Sequence, residues 1–117
     1  MYLYIFFSLC KLIAYNILGD NLIQNINIKE LNKIINTINI IDIRNVEKYN
    51  DNHMPNAINI PKPILLKYYR KYLSQNKKYY IYCQNGKSSI NVCLYLANQG
   101  YAVCNIEGGY ENWILNS

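Results

Sequence analysis

At 117 residues, 51% of them hydrophobic and 16% charged, the chain is long enough to bury one core and too apolar to be a disordered tether. Its formal net charge is +5, yet no recognised nucleic-acid module or basic–aromatic stripe accompanies that charge, which argues against a nucleic-acid binder. Its four cysteines lack Cys-x-x-Cys spacing and are joined by a single histidine, so neither a zinc site nor a disulfide framework is expected.

Residues 2–18 are almost wholly apolar, interrupted by Lys11. The run falls slightly short of the roughly 20 residues that span a bilayer. It has no basic leader and no small-residue cleavage site behind it, which counts against a cleaved signal peptide. Leu9 before Cys10 counts against a lipoprotein signal. Two readings stand: a membrane anchor with Lys11 snorkelling, or an amphipathic helix laid on the domain or on a partner. Gly19-Asp20-Asn21 is a breaker, dividing an apolar helix over 1–20 from a domain over 21–117. The expected location is the cytoplasm, with residues 1–18 as the route to any membrane.

From Asn25 onward strands and helices alternate. The pattern predicts strands over Asn25–Ile28, Asn39–Ile43, Ala57–Ile60, Tyr79–Cys83 and Tyr101–Ile106. It predicts helices over Lys29–Asn36, Val46–Asn50, Lys62–Leu73 and up to Asn98, and a short last helix containing Trp113. Pro61 and Pro63 open the third of these, with Leu65, Tyr68, Tyr69 and Tyr72 as its inward face. Ile90, Cys93, Leu94 and Ala97 mark the apolar face of the fourth, which Gly100 ends. Alternation of this kind implies a parallel sheet of about five strands with helices on both faces. Ligands of such sheets lie at the carboxyl ends of the strands.

Two places carry chemistry. Asp42, followed by Arg44, closes an apolar run, and a carboxylate there needs a partner. Cys83 ends the strand Tyr79–Cys83 and is followed by Gln84, Asn85, Gly86, Lys87, Ser88 and Ser89 at the start of a helix. A loop curling into a helix N-terminus turns backbone N–H groups inward, and those donors favour a thiolate or a bound anion. Gly86 permits the turn, Lys87 adds a positive charge at the rim, and Ser88 or Ser89 can cap the helix or donate a hydroxyl. His53 precedes a proline and reads as a turn residue. Cys93 and Cys104 read as packing; ten residues past Cys83 and on the helix that follows, Cys93 is expected to point away from the loop.

The stretch Tyr82-Cys83-Gln84-Asn85-Gly86-Lys87-Ser88-Ser89 resembles the active-site loop of the rhodanese family, the thiosulfate sulfurtransferases. Ile40-Ile41-Asp42-Ile43-Arg44 and His53-Met54-Pro55-Asn56-Ala57 resemble that family's opening segment, and Glu107-Gly108-Gly109-Tyr110-Glu111-Asn112-Trp113 its closing turn. Three motifs in series, over roughly residues 25–117, carry the resemblance.

The resemblance implies a rhodanese-like fold and a Cys83 persulfide. Gln84 to Ser89 would form the anion loop, with Asp42 and Arg44 as supports. It implies a small sulfur-containing anion as donor, cyanide or a thiol as acceptor, or a protein sulfur acceptor, and no cofactor. The family loop often carries Arg where Ser88 stands, which leaves donor preference open. Between Asp51 and Glu107 there is no acidic residue, so the loop lies in the basic half of the chain. Two rivals are a sulfur carrier or partner-binding module without enzymatic turnover, and a cysteine-loop phosphatase. The latter needs Arg six positions after the cysteine, where this chain has Ser89.

Overall fold

The computed structural model describes residues 23–116. The apolar helix expected over 1–20, its boundary at Gly19–Asn21 and Cys10 lie outside those residues. Five strands, β1 (Gln24–Ile26), β2 (Asn39–Asp42), β3 (Ala57–Asn59), β4 (Lys78–Tyr82) and β5 (Ala102–Ile106), form one sheet in the order β1-β5-β4-β2-β3. Every pairing is parallel. Five helices connect and close it: α1 (Ile28–Ile34), α2 (Val46–Asp51), α3 (Lys62–Tyr72), α4 (Ser88–Asn98) and α5 (Gly109–Leu115).

Parallel strands need a crossover, and the crossovers put helices on both faces. One core gathers Ile41, Ile43, Tyr79 and Ile81 of the sheet against Leu65 and Tyr69 of α3 and Val92, Cys93 and Leu96 of α4. The other gathers Ile40, Tyr82 and Ile106 against Ile28 and Leu31 of α1, with Tyr110 and Trp113 of α5 packed on it. Ile40 and Ile41, and likewise Ile81 and Tyr82, fall in opposite cores, so adjacent residues are both buried. That is why these strands read as continuous apolar runs rather than alternating ones.

Local chemistry sets the helix starts. Asn27 caps α1 by accepting from the Glu30 N–H at 2.8 Å, and Asn45 caps α2 by accepting from the Lys48 N–H at 2.9 Å. The Asn27 cap also moves the first boundary: β1 stops at Ile26 and α1 begins at Ile28, earlier than the apolar pattern alone suggests.

Two helix faces differ from expectation. In α3, Leu65 and Tyr69 are buried, but Tyr68 and Tyr72 are 47% and 44% exposed. Tyr68 leaves helical geometry (φ −120°, ψ 26°), and the kink fixes the inward stripe on Leu65 and Tyr69. In α4 the inward stripe is Ser89, Val92, Cys93 and Leu96, while Ile90 is 39% exposed. A buried serine takes the first inward position, so hydrophobicity alone misplaces the face by one residue.

Candidate functional site

β4 is flanked by β5 on one side and β2 on the other, and Cys83 follows its last residue. The thiol sits within the turn that leads into α4. Its Sγ accepts from the N–H of Gly86 at 3.2 Å and of Ser89 at 3.3 Å. The Ser89 Oγ is also 3.3 Å away. Ser89 is fully buried, and its hydroxyl donates to Asn105 Oδ1 at 2.6 Å. Asn105 Nδ2 in turn donates to Asn25 Oδ1 at 3.0 Å, so a hydrogen-bonded chain runs from the buried sulfur across β5 to the exposed Asn25 of β1. Neither serine caps α4: Lys87 holds the cap position without a side-chain bond, and Ser89 faces inward instead. Asn85 and Lys87 form the exposed rim, where the Lys87 N–H donates to Asn85 Oδ1 at 3.1 Å.

The loop carbonyls explain why its amides turn inward. Cys83 O accepts from the Tyr110 N–H at 2.9 Å and Gln84 O from the Glu111 N–H at 3.0 Å. The first turn of α5 thus takes up the carbonyl side of the loop, and the amide side is left to the sulfur. This docking needs bare backbone on both partners. A Cβ on Gly86 would lie 2.7 Å from the Gly108 nitrogen, and one on Gly109 would lie 2.8 Å from the Gly86 nitrogen.

Beside the loop, Asp42 and Arg44 form a buried ion pair. Arg44 Nη2 donates to Asp42 Oδ2 at 2.8 Å, and Nε reaches both carboxylate oxygens at 3.0 and 3.1 Å. Nη2 also donates to the Asn52 carbonyl at 2.6 Å, and Nη1 to Gln84 Oε1 at 3.2 Å. The guanidinium lies 4.0 Å from the centre of the Tyr110 ring. Arg44 therefore joins β2, the Cys83 loop and α5. Burial opposes its charge, but the hydrogen bonds and charge of Asp42 more than offset that and hold Arg44 above its ordinary value.

The remaining Asp42 valence is met by the Tyr82 hydroxyl, which donates to Oδ2 at 2.6 Å and accepts from the Met54 N–H at 3.1 Å. Burial, then the bond to Asp42, push Tyr82 ionisation far above the usual tyrosine range. A raised value in the folded chain gives stability that is complete below the unfolded value of about 10 and is lost as pH rises above it. Tyr82→Phe is expected to flatten part of this alkaline loss, read as a smaller drop in urea midpoint between pH 9 and pH 11.

The other described cysteines have a different environment. Cys93 is fully buried, and burial, then the neighbouring Cys104 and Cys83, push its thiol up to about 12. Burial pushes Cys104 to about 11. Both are thiols at neutral pH. His53 stacks on Tyr49 at 3.8 Å and its Nδ1 lies 2.8 Å from the Tyr49 carbonyl, so it secures a turn. Two recesses, about 500 Å³ lined by Asn27, Lys29 and Asn112 and about 270 Å³ lined by Ile38, Tyr72 and Lys77, do not include Cys83. The sulfur is instead met by the two backbone amides of Gly86 and Ser89.

Several residues that build this region escaped the sequence reading: Tyr82 as the partner of Asp42, Asn105 as the partner of Ser89, and Gln84 as the partner of Arg44. Asn105 does carry a signal, since a polar residue inside the run Ala102–Ile106 requires a hydrogen bond.

A family model described as a rhodanese-like domain matches residues 27–116. This chain belongs to the rhodanese-like family. The rhodanese-like domain is 34% identical over 74 residues to the putative sulfurtransferase YtwF of Bacillus subtilis, covering 63% of this chain and 71% of that protein. It is 34% identical over 75 residues to the thiosulfate sulfurtransferase GlpE of Coxiella burnetii, covering 63% and 69%. A probable molybdopterin-synthase adenylyltransferase of Porphyra purpurea is 33% identical over 75 residues, but the chain spans only 20% of that protein. Among solved structures, a rhodanese-related protein from Thermoplasma volcanium superposes with a TM-score of 0.75 at 29% identity, covering 80% of this chain and 93% of that one. No helix among the described residues is long and apolar enough to cross a membrane.

Proposed function

We propose that this domain is a sulfurtransferase that carries sulfane sulfur as a Cys83 persulfide. The observation that supports it is the Cys83 sulfur at the end of β4, accepting from the Gly86 and Ser89 amides. The names of the relatives YtwF and GlpE point the same way.

In the first half-reaction the Cys83 thiolate attacks the outer sulfur of thiosulfate. A new S–S bond forms, the old one breaks, and sulfite leaves with the electron pair. The Gly86 and Ser89 amides, aided by the N-terminus of α4, favour the charged sulfur before and after transfer. In the second half-reaction an acceptor thiolate or cyanide attacks the terminal persulfide sulfur, and Cys83 is released as thiolate. The order is ping-pong. Gln84, Asn85, Lys87 and Ser88 line the approach, with Lys87 supplying positive charge for the anion. Asp42 and Arg44 support the loop through Gln84. A phosphatase reading fares worse, because Ser89 is committed to Asn105 and Arg44 to Asp42.

The test is intact-protein mass spectrometry after exposure to thiosulfate, with Cys10, Cys93 and Cys104 replaced. A gain of one sulfur that cyanide removes is expected, and Cys83→Ser should abolish it. No gain would defeat the proposal. A gain that neither cyanide nor a small thiol discharges would favour a carrier that delivers only to a protein acceptor.

A further inference from the structure

Ser89 has one hydroxyl proton and two neighbours for it. Its Oγ lies 3.3 Å from the Cys83 sulfur and 2.6 Å from Asn105 Oδ1. In the structure the proton goes to Asn105. The hydroxyl therefore turns a lone pair toward Cys83 and suits a sulfur that still carries its hydrogen. A thiolate needs the opposite, a hydroxyl that donates to it. The direction of one buried proton thus distinguishes the two protonation states of the sulfur.

Asn105 controls that direction. It is the register partner of Ile81, which packs in the core against α4, so its amide faces Ser89. It is buried, and its Nδ2 donates to Asn25 Oδ1 at 3.0 Å. When both amides turn over, every link survives with its sense reversed. Asn25 Nδ2 then donates to Asn105 Oδ1, Asn105 Nδ2 donates to Ser89 Oγ, and the Ser89 hydroxyl donates to Cys83. No proton passes between residues in this reversal. Asn25 lies on the edge strand β1 and is exposed, so water meets whichever of its amide atoms faces outward. No buried group loses a partner in either sense.

We propose that Asn105 and Asn25 are positioning residues that set the Ser89 hydroxyl: in one sense it accepts from the Cys83 thiol, and in the other it joins the Gly86 and Ser89 amides as a third donor to the charged sulfur. This rests on Cys83 being the reacting sulfur, not on what that sulfur carries. Asn25 then acts on Cys83 from an exposed site three hydrogen bonds away. The titratable groups around the sulfur are Tyr82 before it on β4, Cys93 of α4, Asp42 with Arg44 from β2, Tyr110 and Glu111 of α5, and Lys87 on the rim. Cys104 and Glu107 flank Asn105 on β5. Substitution at Asn105 or Asn25 leaves all of them in place.

The experiment measures the rate of Cys83 alkylation by iodoacetamide against pH in the full chain, read on the Cys83 peptide by mass spectrometry. Asn25→Asp replaces an amide with a carboxylate that only accepts. That holds the Ser89 proton on Asn105 and should move the midpoint up by about half a unit to one unit. Asn105→Leu leaves the proton no side-chain acceptor but the sulfur, and should move the midpoint down by a similar amount. A loosened loop would move both in one direction. The new carboxylate also raises the midpoint through its own field, so each substitution is repeated with Ser89→Ala. There the Asn105→Leu shift should vanish, and the Asn25→Asp shift should fall to a remainder that salt screens. Shifts of the same sign, or shifts undiminished without the Ser89 hydroxyl, overturn the proposal. So does an unmoved midpoint in Asn25→Asp, whose exposed site leaves the fold intact. The expected shifts in a protein that gains no sulfur from thiosulfate would uphold this proposal while defeating the sulfurtransferase reading.

Discussion

Asp42→Ala is expected to destabilise the domain by about 3–5 kcal/mol, a large share of the 5–15 kcal/mol that holds a typical fold together. The carboxylate is completely buried, and four donors converge on it: the Arg44 N–H, the Arg44 Nε and Nη2 groups, and the Tyr82 hydroxyl. Removing it strands a guanidinium whose side chain is only 4% exposed. The lost attraction is the smaller part of the cost; the larger part is the buried charge left without a partner. Asp42→Asn should fall between the two, because it keeps the shape and one acceptor oxygen but not the charge. Urea denaturation of the three proteins checks this. An Asp42→Ala midpoint close to that of the parent would mean that Arg44 finds water or another acceptor, and that the pair is peripheral. The same variant should load sulfur poorly even where it is folded, since Arg44 steadies Gln84 within the Cys83 loop.

The architecture was legible because its strands and helices differ sharply in pattern. The apolar runs at Ile40–Ile43 and Tyr79–Cys83 could only be strands buried on both faces. The turn chemistry around Pro61 and Gly100 punctuated them. The Cys83 loop was legible for a related reason: a glycine and two serines between a strand and a helix mark a turn that can aim amides inward, although the docking of α5 that holds them so lies more than 20 residues downstream. What sequence could not supply were contacts made across the sheet. Ser89 reads as a helix cap, because serine at a helix start usually is one. It faces inward because Asn105, 16 residues away, offers an acceptor in the core. Tyr68 and Tyr72 read as core because tyrosine spacing cannot reveal the kink at Tyr68. Gly108 and Gly109 were legible as a turn, but their purpose depends on a loop more than 20 residues upstream.

Gly109→Ala should reduce sulfur loading of Cys83 by about 100-fold or more, with the α/β fold retained. Gly109 has φ +63°, and an added Cβ would overlap the Cys83 carbonyl oxygen and sit 2.8 Å from the Gly86 nitrogen. The left-handed backbone alone costs alanine about 1–2 kcal/mol. The overlap is the larger matter, because both atoms it strikes are backbone and the loop can only relieve it by moving away from α5. Moving breaks the bonds from the Tyr110 and Glu111 amides that hold the loop carbonyls outward, and with them the inward aim of the Gly86 amide. A displacement of about 1 Å at a reacting centre is enough for a loss on the order of 100-fold. Gly100→Ala is the control that separates strain from function. It has φ +94° and the same backbone penalty, but its Cβ would meet only the Gln75 side chain at 3.6 Å, far from the loop. That variant should lose stability and load sulfur at the parent rate per folded molecule. If both variants lose loading in proportion to stability alone, the docking of Gly109 on the loop has no part in holding the sulfur site.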